Sequence, residues 1–338
     1  MKLSWERFDL QLKHTFRIAR SAREFVPVLV LKLECDGIIA FGEASPNARY
    51  GESIETVEQF FNKLDFSGFS SPFETEKILE YTNSVAPGNN AAKCAIDLAL
   101  HDWIGKNLDV PLWKLWGLDA QKAPLSSFTI AIDTPEIIRA KIREAEEYPI
   151  LKIKLGGEND KEIIEAVRAE TDKPLYVDAN EGWKTRNRAI ESVKWLTEQN
   201  VIFIEQPMPA SQTDDLKFLR QHSNLPLIAD ESVHFAADIP ALAQAFDGIN
   251  IKLTKSAGLR EALRMIATAK SLNMKTMVGC MIETSIGISA AAQLTPLLDY
   301  CDLDGNVLIK NDPFAGSKNI AGKIALSEKA GLGVGPRL

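Results

Sequence analysis

The chain has 338 residues, of which 45% are hydrophobic and 25% are charged, and its formal net charge is −7. This composition is typical of a globular protein with a sizeable core, and the negative charge argues against nucleic acid or an anionic membrane as a partner. The four cysteines are scattered without a CxxC pair, the first residues lack a leader-like apolar segment, and no apolar run approaches a membrane span, so we expect a cytoplasmic protein.

The first third of the chain predicts an α+β domain. The stretch "VPVLVLKLECDGIIAFGEA" (26–44) predicts two strands joined by a turn at Asp36 and Gly37. After a polar loop, "SPNARYGES" (45–53), the stretch "NNAAKCAIDLALHDWIGKNLD" (89–109) has the spacing of a helix. We expect this capping domain to span residues 1–120.

A repeating pattern begins near residue 125. Short apolar runs end in a charged residue and are followed by helical stretches: "LKIK", "LYVD", "IFIE", "LIAD" and "INIK", continued by "TMVGCM" and "CDLDG". The terminal charged residues of the first five runs lie 22 to 27 positions apart, which suits one strand and one returning helix. The pattern predicts a parallel βα barrel over residues 121–312, and the Gly-rich segment 313–338 is expected to return to the first domain.

Five consecutive predicted strands end in Lys154, Asp178, Glu205, Asp230 and Lys252. Strand ends of a βα barrel meet at one mouth, where active sites form. A single acid there is usually a helix cap or a solvated turn residue, but three convergent carboxylates need a cation. Hard oxygen donors without His or Cys favour magnesium. We therefore predict that the three acids bind one Mg²⁺ per subunit, for which Mn²⁺ is expected to substitute.

The two lysines of "LKIK" lie one residue apart, so in a strand Lys152 and Lys154 point to the same side. With Lys154 and Lys252 on opposite sides of a metal, one lysine can remove an α-proton and the other can return a proton to the opposite face. Lys152 and the metal add positive charge, which lowers the pKa of a lysine base. This arrangement inverts a stereocentre, so it predicts a racemase or an epimerase.

The motifs "KIK", "VDAN", "IEQP", "ADES" and "NIKLTKSAGL" occur in this order, and nearly the whole chain resembles the enolase superfamily, in its muconate-lactonizing-enzyme subgroup. The resemblance implies a modified TIM barrel, (β/α)7β, with an N-terminal α+β capping domain. It also implies that Lys154 and Lys252 are the acid/base pair and that Asp178, Glu205 and Asp230 are the magnesium ligands. We further expect a homo-oligomer.

The stretch "YCDLDGNVLI" is similar to the DxD motif of dipeptide epimerases within this family, whose two aspartates hold the terminal ammonium of the substrate. The resemblance implies that Asp302 and Asp304 have this role, although an acidic turn is the alternative. The implied reaction is a 1,1-proton transfer that inverts the α-carbon of the C-terminal residue of an Ala-X dipeptide, through an enediolate stabilised by magnesium. The other expected substrate contacts are Thr129, Lys152, Cys280, Met281 and Ile282.

One departure from the family pattern concerns the loop "HTFRIARSAREF" (14–25). Ser21 stands where Ala-Glu epimerases typically carry an arginine, with Arg20 and Arg23 close by. We therefore expect a hydrophobic second residue of the dipeptide to be favoured over strict specificity for glutamate.

Several other activities use the same lysines and acids: o-succinylbenzoate synthase, N-acylamino acid racemase and muconate cycloisomerase. Asp302 and Asp304 are the residues that discriminate among them. Mandelate racemase and the acid-sugar dehydratases use a histidine base late in the barrel, and no histidine here follows a late apolar run. A non-catalytic binding scaffold is disfavoured because all five charged residues are present.

Overall fold

A three-stranded antiparallel sheet begins the fold in the computed structural model, which describes residues 1–18 and 21–337. β1 (Lys2–Ile18) pairs with β2 (Ser21–Cys35), and β2 pairs with β3 (Ile38–Ala44). The predicted hairpin of β2 and β3 is confirmed, and positive φ angles at Asp36 (48°) and Gly37 (75°) match the tight turn that Asp-Gly favours. The sequence analysis did not predict β1.

Four helices follow this sheet: α1 (Ile54–Phe61), α2 (Thr75–Val85), α3 (Asn90–Asn107) and α4 (Leu112–Leu115). The first three bury apolar side chains in one cluster with β2 and β3. The predicted helix is α3, in which 13 of the 18 residues are buried. It lies so close to β3 that a Cβ at position 42 would meet Ala95 O at 1.8 Å, which explains why that strand position is glycine.

Eight parallel strands form the barrel, and they pair in chain order. A parallel bridge between Ser126 and Cys301 joins the first strand to the last and closes the ring. The strands are β4 (Phe128–Ile130), β5 (Leu151–Lys154), β6 (Leu175–Asp178), β7 (Val201–Glu205), β8 (Leu227–Ala229), β9 (Gly248–Ile251), β10 (Lys275–Gly279) and β11 (Tyr300–Asp302).

Seven helices connect these strands and pack outside them, so the predicted (β/α)7β barrel with an N-terminal α+β cap is confirmed. The helices bury apolar side chains against the strands, as a parallel barrel requires, and α11 is buried along its whole length. The helices are α5 (Pro135–Glu144), α6 (Asp160–Arg168), α7 (Arg186–Leu196), α8 (Thr213–His222), α9 (Ile239–Leu242), α10 (Leu259–Ser271) and α11 (Ser285–Ala292).

The last residues form two small antiparallel pairs. β12 (Phe314–Ala315) pairs with β15 (Gly335–Pro336), and β13 (Lys318–Ile320) pairs with β14 (Lys323–Ala325). Between these pairs the chain contacts α4: Leu112 N donates to Gly331 O at 3.1 Å, and Trp113 Nε1 donates to Ser327 O at 3.1 Å. Within the described residues, no helix has the length and apolarity needed to cross a membrane.

Candidate active site

The five charged residues predicted at strand ends meet at one mouth of the barrel. Lys154, Asp178 and Glu205 end β5, β6 and β7 and pair in register across these strands. Asp230 and Lys252 were predicted to end their strands, but each follows its strand by one residue, because β8 ends at Ala229 and β9 at Ile251. All five side chains are buried, so they face the barrel interior and one another.

The three acids form a compact oxygen cluster. One carboxylate oxygen of each of Asp178, Glu205 and Asp230 lies within 4.8 Å of those of the other two. Asn250 Nδ2 donates to Glu205 Oε1 at 2.8 Å, whereas Glu205 Oε2 accepts no hydrogen bond of good geometry, although Lys152 Nζ is 2.7 Å away. Convergent, buried, oxygen-only donors fit Mg²⁺, since its preferred ligands are carboxylates. Asp178, Glu205 and Asp230 therefore have the donor atoms and the arrangement that the predicted Mg²⁺ site requires.

The electrostatics of the cluster are uneven. Burial raises the pKa of a carboxyl group, but at Asp178 the charges of Lys154, Lys152 and Lys252 together outweigh burial, so the pKa of Asp178 is below its ordinary value. At Asp230, the charges and hydrogen bonds of Lys252 and Lys255 together outweigh burial, so the pKa of Asp230 is also below its ordinary value. Burial and the neighbouring Asp178 charge instead raise the pKa of Glu205 to about 8. A cation bound among the three acids would offset the repulsion between Asp178 and Glu205 that contributes to this rise.

The two candidate acid/base lysines flank the acids from opposite sides. Lys154 Nζ lies 2.6 Å from Asp178 Oδ2, and Lys252 Nζ lies 2.6 Å from Asp230 Oδ2. Their strands, β5 and β9, are four places apart in a ring of eight, so the lysines approach the centre from facing walls. Burial lowers the pKa of Lys252, but the charges of Asp230 and Glu205 together outweigh burial and raise this pKa above its ordinary value. A molecule held between the two lysines would meet one amine on each face.

Lys152 points into the same mouth, as the alternation of β5 predicts. Its side chain is 2% exposed, and its Nζ lies 2.8 Å from Asp302 Oδ2, 2.7 Å from Glu205 Oε2 and 3.2 Å from Asp178 Oδ2. Lys152 therefore links the acid cluster to the wall that carries the DxD motif.

Asp302 and Asp304 lie at and just beyond the end of β11 and line the same cavity as the lysines. Ser127 Oγ donates to Asp302 Oδ1 at 2.8 Å, and Thr129 N donates to Asp304 Oδ2 at 2.6 Å. Burial and the charge of Asp302 raise the pKa of Asp304 to about 7. A cation placed between these carboxylates would offset the repulsion that raises this pKa.

The cavity has a volume of about 130 Å³ and brings together every substrate-contact residue predicted from the sequence. The sequence did not predict most of the residues that the cap contributes to the cavity wall, because contacts between the cap and the barrel leave no periodic pattern in the sequence. Ser21 and Arg23 line the cavity, while Arg20 lies outside the described residues. Sequence reasoning missed the cap residues Leu12, Phe16, Ile18, Val26, Ser45, Pro46, Asn47 and Tyr50 and, on the barrel, Asn180 and Leu308.

Among the residues that the structure describes, no histidine stands at the end of a barrel strand. His234 follows Asp230 by four residues and packs its ring edge-on against Tyr50, with the ring centroids 5.0 Å apart. Lys154 and Lys252, which approach from facing walls, are therefore the candidates for proton transfer to opposite faces of a molecule in this cavity.

Comparisons with known proteins point to one family. The mandelate racemase / muconate lactonizing enzyme N-terminal domain matches residues 7–117, and the enolase C-terminal domain-like family matches residues 137–337. An L-Ala-D/L-Glu epimerase of Bacteroides thetaiotaomicron is 48% identical over 335 residues, covering 99% of this chain and 88% of the relative.

Two solved structures share the fold over almost their full length. A dipeptide epimerase of Cytophaga hutchinsonii, complexed with Mg and D-Ala-L-Val, is 29% identical with a TM-score of 0.92, covering 99% of this chain and 95% of that one. An N-succinyl Arg/Lys racemase of Bacillus cereus is 28% identical with a TM-score of 0.92, covering 100% of this chain and 96% of that one. Similarity of fold alone therefore does not separate a free dipeptide from an N-acylated amino acid.

Proposed function

Because the chain belongs to the mandelate racemase / muconate lactonizing enzyme family of enolase-like proteins, we propose that it is a magnesium-dependent dipeptide epimerase. It inverts the α-carbon of the C-terminal residue of an Ala-X dipeptide, where X is a hydrophobic residue or glutamate. One observation carries the proposal: Lys154 and Lys252 face each other across three acids in a cavity that also contains Asp302 and Asp304. The relative with 48% identity is an epimerase of such dipeptides.

Asp178, Glu205 and Asp230 would hold the metal. When bound, Mg²⁺ supplies positive charge beside the substrate carboxylate, which offsets the negative charge that develops as the α-proton leaves.

Lys154 and Lys252 carry out the proton transfer. One lysine, as the free amine, accepts the α-proton, and the electron pair of the broken C–H bond passes into the carboxylate. The facing lysine, as the ammonium, donates a proton to the opposite face, and the new C–H bond has inverted configuration.

Asp302 and Asp304 give the proposal its substrate class. In a dipeptide the free ammonium is several bonds from the reacting carbon, so its recognition is a remote contact that positions the substrate. Two carboxylates in a buried wall suit an ammonium and are poorly suited to an uncharged N-acyl group. This charge pattern favours the dipeptide over the N-succinylated or N-acylated amino acids used elsewhere in the family.

The substrate proposal is tested with a panel of Ala-X dipeptides incubated with the enzyme and Mg²⁺ in D₂O. Each L,L-dipeptide is paired with its N-acetyl derivative, and mass spectrometry measures deuterium gain at the α-carbon. We expect rapid exchange in one or more free dipeptides and negligible exchange in the matched N-acetyl compounds. Faster exchange of N-acetyl or N-succinyl amino acids would contradict the dipeptide assignment.

We also propose that the enzyme is a cytoplasmic homo-oligomer that needs neither nucleic acid nor a membrane. The four cysteines are all unpaired, which suits a reducing compartment, and the net charge of −7 disfavours polyanionic partners. Size-exclusion chromatography with light scattering measures the particle mass, and the mass of a single chain would contradict the oligomer.

The proposed division of the chain is a cap at 1–120, a barrel at 121–312 and a returning segment at 313–338. The hydrogen bonds of Leu112 and Trp113 to Gly331 and Ser327 support the return to the cap. Limited proteolysis is expected to cleave near residues 118–125 before it cleaves within the barrel.

A further inference from the structure

The cap segment 45–51 crosses the mouth of the cavity. On one side, Ser45 Oγ donates to Ile282 O at 3.1 Å, just beyond the end of β10. On the other side, the Tyr50 ring packs against His234, which follows β8. Ser45, Asn47 and Tyr50 line the cavity, so this segment forms part of the wall that the substrate would meet.

Arg49 anchors this segment to the barrel through a two-pronged ion pair with Glu181. Arg49 Nε lies 3.0 Å from Glu181 Oε2, and Arg49 Nη2 lies 2.9 Å from Glu181 Oε1. The Glu181 side chain is 9% exposed and that of Arg49 is 39% exposed, so the pair is partly shielded from water. Parallel N–H···O bonds from a planar guanidinium fix direction as well as distance.

Glu181 is held firmly on the barrel side. Its backbone N–H donates to Gln206 O at 2.9 Å, and its Oε1 also accepts from Ala210 N at 2.9 Å. Its φ of +65° is unusual for a residue with a side chain and fixes the direction of the Cβ. Glu181 follows the candidate ligand Asp178 by three residues. Its hydrogen bonds with Gln206 and Ala210 hold it against the loop that follows β7. The ion pair thus joins the cap segment to the loops that follow two of the three acids.

We propose that Arg49 and Glu181 are positioning residues that hold segment 45–51 across the mouth, so that the substrate reacts in a closed cavity. Neither residue lines the cavity, so their effect must pass through Asn47 and Tyr50. The inference rests on the proposed function for its kinetic consequence. Without the ion pair, the segment loses its charged anchor on the barrel and is held more loosely, so the substrate must order it on binding, which weakens binding.

The variants Arg49→Met, Arg49→Lys and Glu181→Gln test this role. A matched control is Arg143→Met, because Arg143 makes the same two-pronged ion pair with Glu170, at 3.0 and 3.1 Å, between the ends of α5 and α6. We expect KM for an accepted dipeptide to rise about tenfold or more in Arg49→Met while kcat changes less than threefold. Arg49→Lys, which keeps one charged contact, should lie between Arg49→Met and the native enzyme.

A second measurement does not need activity. Hydrogen–deuterium exchange of peptides covering 45–53, read by mass spectrometry, should be at least severalfold faster in Arg49→Met and Glu181→Gln than in the native protein and in Arg143→Met. Unchanged exchange in segment 45–53, or an equal rise in KM in Arg143→Met, would overturn the inference. Failure of the native protein to epimerise any dipeptide would instead overturn the proposed function, and the exchange result would still decide the anchoring role.

Discussion

Asp304 is the residue whose charge most directly tests substrate recognition. Asp304→Asn keeps an oxygen that can accept from Thr129 N but removes the negative charge. A charge-assisted hydrogen bond is worth roughly 1.5–3 kcal/mol, so kcat/KM for the accepted free dipeptide should fall by about ten- to a hundredfold. The N-acetyl analogue lacks the ammonium, so its slow turnover should change little. Equal losses for both substrates would indicate a structural role for Asp304.

At the scale of single residues, the sequence predicts the positions of side chains that lie on regular strands. Lys154 and Asp178 could be placed at one mouth because parallel strands of similar length end at one edge. The residues that orient the other two acids, Glu205 and Asp230, were not predictable in this way. Asn250, which donates to Glu205, and Lys255, which lies 2.5 Å from Asp230 Oδ1, are ordinary polar residues in the sequence and acquire their roles only from contacts across the barrel.

At the scale of elements, the cap docks on the barrel through a buried carboxylate. Asp97 on α3 accepts the backbone N–H groups of Leu259 and Arg260, which begin α10, at 2.5 and 3.4 Å. A side chain at position 258 would collide with Asp97, since a Cβ there would lie 2.3 Å from its Oδ2, and Gly258 also has a φ of +116°. The carboxylate both satisfies these donors and lies at the positive end of the helix dipole.

We therefore expect Asp97→Ala to lower the free energy of unfolding by about 2–4 kcal/mol, because buried helix N–H groups lose their acceptor. Asp214→Ala is the matched control: Asp214 lies in the first turn of α8, but its side chain is 95% exposed. Urea unfolding followed by circular dichroism measures both. A loss in Asp97→Ala no larger than in Asp214→Ala would contradict this account of docking.

Elements differed in how well their sequences predicted them. β5 and β6 were predictable because their apolar runs end in charged residues at a regular period. β1 was not predicted, because charged residues such as Glu6 and Asp9 interrupt its alternation. It forms nevertheless, since β2 pairs with it along most of its length, with an irregularity between Gln11 and Phe16. Pairing with a neighbouring strand outweighs local preference in this case.

At the scale of the whole molecule, two buried acids make stability depend on pH. Glu43 on β3 accepts from Thr284 N, Thr284 Oγ1 and Gly287 N at the start of α11, and Glu283 lies beside it. Burial raises the pKa of Glu43 to about 7, and burial with the Glu43 charge raises the pKa of Glu283 to about 8. Nearby, Asp312 adds to the rise at Glu43, whereas Lys252 opposes the rise at Glu283.

The direction in which stability changes with pH follows from proton binding. Between the ordinary glutamate pKa of 4.5 and about 8, the folded protein holds more protons at these sites than the unfolded chain does, so stability falls as pH rises through this window. Glu283→Gln should make the decline of the unfolding free energy less steep, by up to about 1.4 kcal/mol per pH unit. Urea unfolding at pH 5, 6.5 and 8 with saturating Mg²⁺ measures the unfolding free energy. Glu198→Gln is the control, because Glu198 is exposed. An unchanged pH slope in Glu283→Gln would contradict this prediction.

The central claim is that Lys154 and Lys252 serve opposite faces of one substrate, and α-proton exchange in single-lysine variants tests it most directly. Lys154→Ala and Lys252→Ala are each incubated in D₂O with the two diastereomers of an accepted dipeptide separately, and NMR follows deuterium at the α-carbon. We predict that epimerisation falls by roughly a hundredfold or more in both variants. Each variant should still exchange one diastereomer without inverting it, and the two variants should exchange opposite ones. Retention of full epimerisation in either variant, or exchange of the same diastereomer by both, would contradict the account.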